Sequence, residues 1–393
     1  MSRSSRKGIV PFTFRNNVEL VKGGREYFDV ILRLIRAAKD TIHLQVYIFD
    51  DDNTGRMVAA ALKDAVKRGV AVYLLIDGYE GRRMSKHFMR ELSGSGIFFR
   101  LFNPVFTSRY FYFGRRLHQK VFVADAYYAL VGGINVADHY NDLAGQRAWL
   151  DFALYIEGEA SKELCVLCWK TWNNYSPTGA FGACIPSVKP DQEEKTGHCQ
   201  LSMRRNDWVR RKNEISSTYI QMLRKSEKQV IILCSYFLPG RIIRRQLNYA
   251  VGRGVNIKII TAGSSDVVVA KNAEKYMYDW LLRRNIELYE YQPAVLHGKI
   301  AVADHSVVTV GSYNVNNISA YASIELNMNV YDDKFGKKAE DMLLHLIQHD
   351  CMRITRENHE QAKTLYKRFV RLISYEFIRV IFYLFTFYFK RKD

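Results

Sequence analysis

Two stretches of the 393-residue chain carry the same chemically capable residues at the same spacing. Residues 117–135 read LHQKVFVADAYYALVGGIN and residues 296–314 read LHGKIAVADHSVVTVGSYN. His118 and His297, Lys120 and Lys299, Asp125 and Asp304, Gly132 and Gly311, and Asn135 and Asn314 all stand at one offset of 179. A lone His two residues from a Lys is a weak signal, because most histidines on apolar strands serve packing. A whole set held at one offset in two repeats is much harder to reach by packing alone. On a strand, His and Lys at i and i+2 point from one face. The Asp seven residues after the His falls near a turn. A second apolar strand then ends in Gly-Gly-x-Asn or Gly-Ser-x-Asn, where small residues let backbone amides approach an anion.

Each half therefore presents an imidazole, an ammonium and a carboxamide at the end of a strand pair. Two such sets brought together suit a phosphate better than a metal. Lys120 and Lys299 can neutralise the non-bridging oxygens as charge builds in the transition state. The expected phosphate contacts are Asn135, Asn314, Ser312 and Gly133. One neutral imidazole can attack phosphorus while the other, protonated, donates to the leaving oxygen. The product is a phosphohistidine, which an alcohol or water then resolves with the second His as base. No metal and no cofactor are needed. Asp125 and Asp304 are expected to fold back and hold the strand turn. Each histidine also needs an acid to orient it. Glu325 follows His297 by 28 residues on SIELNMNVYD, and Asp151 follows His118 by 33 residues on WLDFALYIEG. Each acid is thus expected to serve the histidine of its own half.

The elements that position these residues repeat too. YFDVILRLIRAAKDTIHLQVYIF and STYIQMLRKSEKQVIILCSYFLP each run from helical to alternating apolar spacing. ALKDAVKRGVAVYLLIDG and QLNYAVGRGVNIKIITAG each read as helix, Gly-containing turn and apolar strand. Strands alternating with helices argue for an α/β fold with mixed, mostly parallel sheets flanked by helices. The expected organisation is an internal pseudo-two-fold repeat of two lobes sharing one active site. The first lobe spans 1–184 with its motif in 112–139. A linker follows at 185–200, within a Pro- and Gly-rich stretch. The second lobe spans 201–350 with its motif in 291–318, and a basic, aromatic-rich tail occupies 351–393.

Composition narrows the setting. Hydrophobic residues make up 48% of the chain, which excludes a disordered protein and allows two lobes to bury large cores. The net charge of +18 draws the chain towards polyanions, and nucleic acid and anionic lipid both qualify. The six cysteines are too scattered for a small secreted disulfide scaffold. Cys165, Cys168, Cys184, His198 and Cys199 could be read as a zinc site. KELCVLCWKTW, however, reads as an apolar helix face on which Cys is a small buried hydrophobe. MSRSSRKGIV is basic but no apolar core follows it, so the chain is expected on the cytoplasmic side. Near the other end, the apolar run 372–389 is interrupted by Glu376 and Arg379. That is marginal for a membrane span, and a helix lying in the membrane interface fits better. The alternative is a last helix packed on the core.

At these residues the chain resembles the phospholipase D superfamily, whose signature is His-x-Lys-x4-Asp-x6-Gly-x-x-Asn twice per chain. The resemblance covers roughly residues 25–345. The flanks QVYIFDDDNTGRMVAAALKDAVKRGVAVYLLIDG and SYFLPGRIIRRQLNYAVGRGVNIKII resemble those of bacterial cardiolipin synthases. The resemblance implies a catalytic set of His118, Lys120, Asp125, His297, Lys299 and Asp304. It implies one histidine as nucleophile and the other as general acid and base; the two are near-equivalent in the sequence, and His118 is assigned the first role and His297 the second. It further implies transfer of a phosphatidyl group from one phosphatidylglycerol to another, releasing glycerol, at the cytoplasmic face of a bacterial membrane by a peripheral or monotopic enzyme. The expected partners are anionic phospholipid and the membrane surface, not nucleic acid. Gly132-Gly133 departs from the Gly-Ser of many family members, and Leu117 and Gln119 flank His118 where more polar neighbours are common. Hydrolysis through the same intermediate, by a lipase or a nuclease, is the alternative.

Overall fold

The computed structural model describes residues 12–104, 115–176, 178–179, 181–186, 199–265, 267–316, 319–320, 323–361 and 364–390. The first half comprises β1 (Asn16–Lys22), α1 (Arg25–Ala37), β2 (Thr41–Val46), α2 (Asn53–Lys67), β3 (Ala71–Asp77), α3 (Lys86–Gly94), β4 (Phe98–Phe102), β5 (Arg116–Leu117), β6 (Lys120–Ala124), β7 (Tyr128–Gly132), β8 (Phe152–Gly158) and α4 (Glu159–Trp172). The second comprises β9 (Gln200–Asp207), β10 (Lys212–Asn213), α5 (Glu214–Lys225), β11 (Gln229–Cys234), α6 (Arg241–Gly252), β12 (Asn256–Ala262), α7 (Val268–Leu282), β13 (Glu287–Tyr291), β14 (Lys299–Ala303), β15 (Val307–Gly311) and β16 (Ser323–Tyr331). It closes with α8 (Asp333–Asp350), β17 (Cys351–Ile354), α9 (Arg356–Gln361) and α10 (Leu365–Lys390).

The repeated helix–strand units form as their periodicity dictates. α1 buries Tyr27, Phe28, Ile31, Leu32, Leu34 and Ile35 on one face, and α5 buries Ile215, Thr218, Tyr219, Met222 and Leu223. Asp52 caps α2 by accepting from Gly55 N–H at 2.8 Å.

Seven strands pair in the order β1-β8-β7-β6-β2-β3-β4, and a second sheet runs β10-β9-β16-β15-β14-β11-β12-β13-β17. Within these orders the strips β2-β3-β4 and β11-β12-β13 are parallel and the other pairs antiparallel; off the main path, β5 adds to β16 in parallel. The sheets are mixed as expected, but not mostly parallel. The reason is local. Asp125 and Ala126 (φ 50° and 51°), like Asp304 and His305 (φ 48° and 59°), adopt left-handed turns. These turns fold each motif into a hairpin, β6–β7 or β14–β15, and a hairpin is antiparallel.

β6 and β14 are buried along their whole length, the mark of strands covered on both faces. One apolar cluster runs through both lobes, joining Val121, Val131 and Leu154 to Ile300, Val310 and Leu326. The lobes therefore share a core and do not touch merely at their rims.

Two expectations are corrected here. Cys165 is not a free buried hydrophobe but is bonded to Cys184. Such bonds persist in oxidising compartments, so the cysteines do not support the cytoplasmic placement expected above. Residues 351–354 are not tail but an edge strand, β17, antiparallel to β13. Most of the expected linker, 187–198, lies outside the described residues, as does His198. Among the described residues no helix is long and apolar enough to cross a membrane.

Candidate active site

β5 is two residues long, and it pairs with β16 of the other half. Arg116 aligns with Ser323 and Leu117 with Ile324, in parallel. The His118 N–H donates to Ile324 O at 3.1 Å. That register brings Glu325 beside His118, with Nδ1 2.9 Å from Oε2. Asp77, fully buried, pins β5 by accepting from Leu117 N–H at 2.7 Å and from Arg116 Nη1 at 3.3 Å. The exchange between halves is reciprocal. Leu150 bridges Leu296 in parallel, donates to Val295 O at 2.8 Å, and accepts from His297 N–H at 2.8 Å. Asp151 comes next, and its Oδ2 lies 2.6 Å from His297 Nδ1.

The acids thus cross over. Glu325 serves His118 and Asp151 serves His297, the reverse of pairing within each half. The cause is backbone addition: the segment entering each acid-bearing strand lies alongside the histidine segment of the opposite motif.

The other expected residues divide. Lys120 Nζ donates to His118 O at 2.6 Å, and Lys299 Nζ lies 2.9 Å from His297 Nδ1; both lysines are buried. Asp125 accepts from the N–H groups of Lys39, Asp40 and Thr41 at 2.9–3.0 Å. Asp304 accepts from Glu227, Lys228 and Gln229 at 2.7, 3.0 and 2.7 Å. Both sit at the ends of β6 and β14 away from the histidines, so they clamp helix–strand turns and leave the catalytic set.

Two of the expected phosphate contacts are also reassigned. Ser312 gives its hydroxyl to Glu325, which Ser323 also donates to at 2.7 Å. At Gly133 a Cβ would lie 2.5 Å from Asp151 Oδ1. The missing serine of the first motif is therefore explained, because the Asp151 carboxylate fills that space. The Gly133 N–H donates to Phe152 O at 3.3 Å, away from any substrate. Asn135 accepts from Ile48 N–H at 3.0 Å and donates to the Tyr140 hydroxyl at 2.9 Å. Asn314 is buried with its Oδ1 3.6 Å from Cys234 Sγ.

Aromatic neighbours complete the site. The Tyr47 ring lies edge-on 5.2 Å from His118 and beneath Lys120 Nζ at 5.3 Å. The Tyr140 hydroxyl is 3.4 Å from His297 Nε2, and its ring is edge-on to that imidazole. Tyr47 was legible, since VYIF and SYFLP match across the repeat. Tyr140 was not, since Ser319 stands at the equivalent offset. Tyr140 is a positioning residue for His297. Tyr140→Phe removes that contact and leaves Asn135 without its acceptor. The expected result is a loss of about tenfold in kcat with KM little changed. An unchanged kcat would remove Tyr140 from the account.

Electrostatics bind these groups into one cluster. Burial lowers the His118 pKa, with Glu325 opposing and Lys120 and Lys299 adding. Burial holds His297 well below its ordinary value, and Lys299, Lys120 and His118 push it further. Burial brings Lys120 down to about 7, against the pull of Glu325. Asp151 is raised by burial to about 7. Burial also acts on Glu325, but His118, Lys120 and Ser312 keep it below its ordinary value. The pocket is thus short of negative charge, and a phosphodiester supplies it.

The sign of the pH effect follows. Lys120 is charged below about pH 7 and neutral above it, and an anion binds the charged form. Affinity for a non-cleavable phosphonate analogue is expected to fall as pH rises above about 7, with proton uptake on binding. Calorimetry in two buffers of different ionisation heat checks this. Affinity that stays constant from about pH 6 to about pH 9 would contradict it.

Comparison with known proteins gives the family. Residues 31–148 and 219–347 match the family described as "Cardiolipin synthase, PLD-like domain". Cardiolipin synthase B of Shigella flexneri is 29% identical over 367 residues, covering 93% of this chain and 88% of that protein. The cardiolipin synthase of Alkalihalophilus pseudofirmus is 27% identical over 334 residues, covering 82% and 64%. The solved phosphatidylserine synthase of Haemophilus influenzae superposes with a TM-score of 0.71 over 94% of this chain and 95% of that one. At 15% identity, that is a likeness of fold.

Proposed function

The chain belongs to the cardiolipin synthase, PLD-like domain family, and from that premise we propose that it transfers a phosphatidyl group from one phosphatidylglycerol to the headgroup hydroxyl of a second, forming cardiolipin and releasing glycerol. The observation that carries the reading is the pair of crossed contacts, His118–Glu325 and His297–Asp151, with a lysine beside each imidazole.

Glu325 holds His118 Nδ1, which leaves Nε2 for phosphorus. The His118 side chain is 20% exposed against 10% for His297, and His297 Nε2 already faces Tyr140. His118 is therefore the nucleophile. In the first step the His118 Nε2–phosphorus bond forms and the bond from phosphorus to the glycerol oxygen breaks. His297, protonated once the anion has entered, gives its Nε2 proton to that oxygen. In the second step the headgroup hydroxyl of the acceptor lipid yields its proton to His297, its oxygen attacks phosphorus, and the nitrogen–phosphorus bond breaks. Lys120 and Lys299 stabilise the non-bridging oxygens in both steps. The buried setting disfavours water as the second nucleophile. The net charge of +18 and the exposed apolar residues of α10 support action at an anionic membrane surface.

The test follows lipids by mass spectrometry after incubation with phosphatidylglycerol vesicles, with His118→Ala alongside. Cardiolipin and glycerol in equal amounts, absent with the variant, are expected. Phosphatidic acid without cardiolipin would make water the acceptor. No lipid turnover, with cleavage of DNA instead, would replace the reading by a nuclease.

A further inference from the structure

A groove of about 430 Å³ runs between α7 and α10, away from the histidines, and the reaction makes no use of it. Lys275 lines it from α7, Arg283 from just past the C-terminal end of α7, and Arg368 and Arg371 from α10. Two carboxylates, Asp279 and Glu360, also reach it, and Asp279 lies 3.5 Å from the His359 ring. Arg371 decides its character. The residue is only 8% exposed, and its Nη1 is buried with no hydrogen-bond partner among the described residues. A buried charged donor is normally satisfied, and a guanidinium in a cationic groove is satisfied by an oxyanion, phosphate above all.

The surroundings say where that phosphate comes from. Leu365, Phe369, Ile373 and Phe377 follow at steps of four along α10 and are all exposed. They form one apolar stripe on the outside of a basic helix, the pattern of a helix lying in a lipid interface. The groove also faces the correct way. Tyr375 and Ile378 of α10 pack on Leu238, Ala273 and Met277. Leu238 follows the end of β11 by four residues, and that end, Cys234, pairs with Lys299. α10 therefore packs beside the loop that leaves the active-site end of β11.

We propose that the α7–α10 groove binds the phosphate of an anionic phospholipid in the bilayer. It is a second lipid site, separate from the catalytic one, that seats the enzyme with its active-site end against the membrane. The inference rests on the reading that the substrate is a lipid. The test uses the full chain carrying Lys275→Gln and Arg368→Gln together, the first side chain half-buried and the second open to solvent, and separately Arg371→Gln. Binding to vesicles of equimolar phosphatidylglycerol and phosphatidylcholine is measured by sedimentation. Turnover of a short-chain phosphatidylglycerol, kept monomeric, is measured beside it. The expected result is vesicle binding weakened at least about tenfold with short-chain turnover unchanged. The double variant carries the test if Arg371→Gln fails to fold. Unchanged vesicle binding in the double variant would overturn the proposal. So would equally tight binding of soluble glycerophosphoglycerol at the groove, since the apolar stripe would then contribute nothing. Failure of the phosphatidyl-transfer reading shows differently: the unaltered protein would bind vesicles normally yet turn over no phosphatidylglycerol, short or long.

Discussion

His118→Ala is expected to lower the rate of phosphatidyl transfer by about 10⁴-fold or more, to background, with the fold retained. The fold survives because the main chain at position 118 keeps its bond to Ile324 O, and Glu325 keeps its donors Ser312 and Ser323. A thermal melt close to that of the unaltered protein checks this. His297→Ala should be as damaging on phosphatidylglycerol, for a different reason: it keeps the nucleophile and loses the acid. The two are separated by the leaving group. Phosphatidyl-p-nitrophenol needs no proton to depart, so His297→Ala should release p-nitrophenol rapidly while His118→Ala stays inert. Rescue of His118→Ala and not of His297→Ala would exchange the two roles.

Glu325→Gln is expected to cost about 10²- to 10⁴-fold in kcat, since the amide leaves the His118 tautomer and ring position unspecified. Its diagnostic value lies in which histidine responds. Glu325 raises the His118 pKa against burial, so its removal should lower that pKa further. In NMR titrations the His118 ring should move and the His297 ring should stay nearly where it was. Asp151→Asn should act on His297 in the same selective way. Responses confined to the histidine of the same half would refute the crossed arrangement.

The sequence could be read wherever the determinant was local. Helical periodicity placed α1, α2, α5 and α6, and the constant offset of 179 marked both histidines and both lysines. What escaped depended on distant backbone pairing. Nothing near Glu325 says that residues 323–324 will add to residues 116–117, and that pairing decides which histidine the acid meets. The antiparallel half of each sheet followed from left-handed turns at Asp125 and Asp304, whose side chains were legible as turn-holders but whose φ angles were not. Ser312 looked like a phosphate ligand because its type and place suited an anion. Glu325, on the adjacent strand β16, takes its hydroxyl instead. The Gly-Gly of the first motif looked like a lost hydroxyl, whereas it is the space taken by Asp151.

The central claim is that His118 becomes phosphatidylated on the path to product. The direct measurement mixes the enzyme with an ether-linked phosphatidylglycerol for less than one turnover and quenches in alkali, where a phosphoramidate and the ether chains survive. Peptide mass mapping follows. The account predicts a dialkylglycerophosphoryl adduct on the peptide bearing His118, formed and consumed within the first turnover and absent from His118→Ala. An adduct on His297 instead, or cardiolipin formed in that time with no adduct on either histidine, would contradict it.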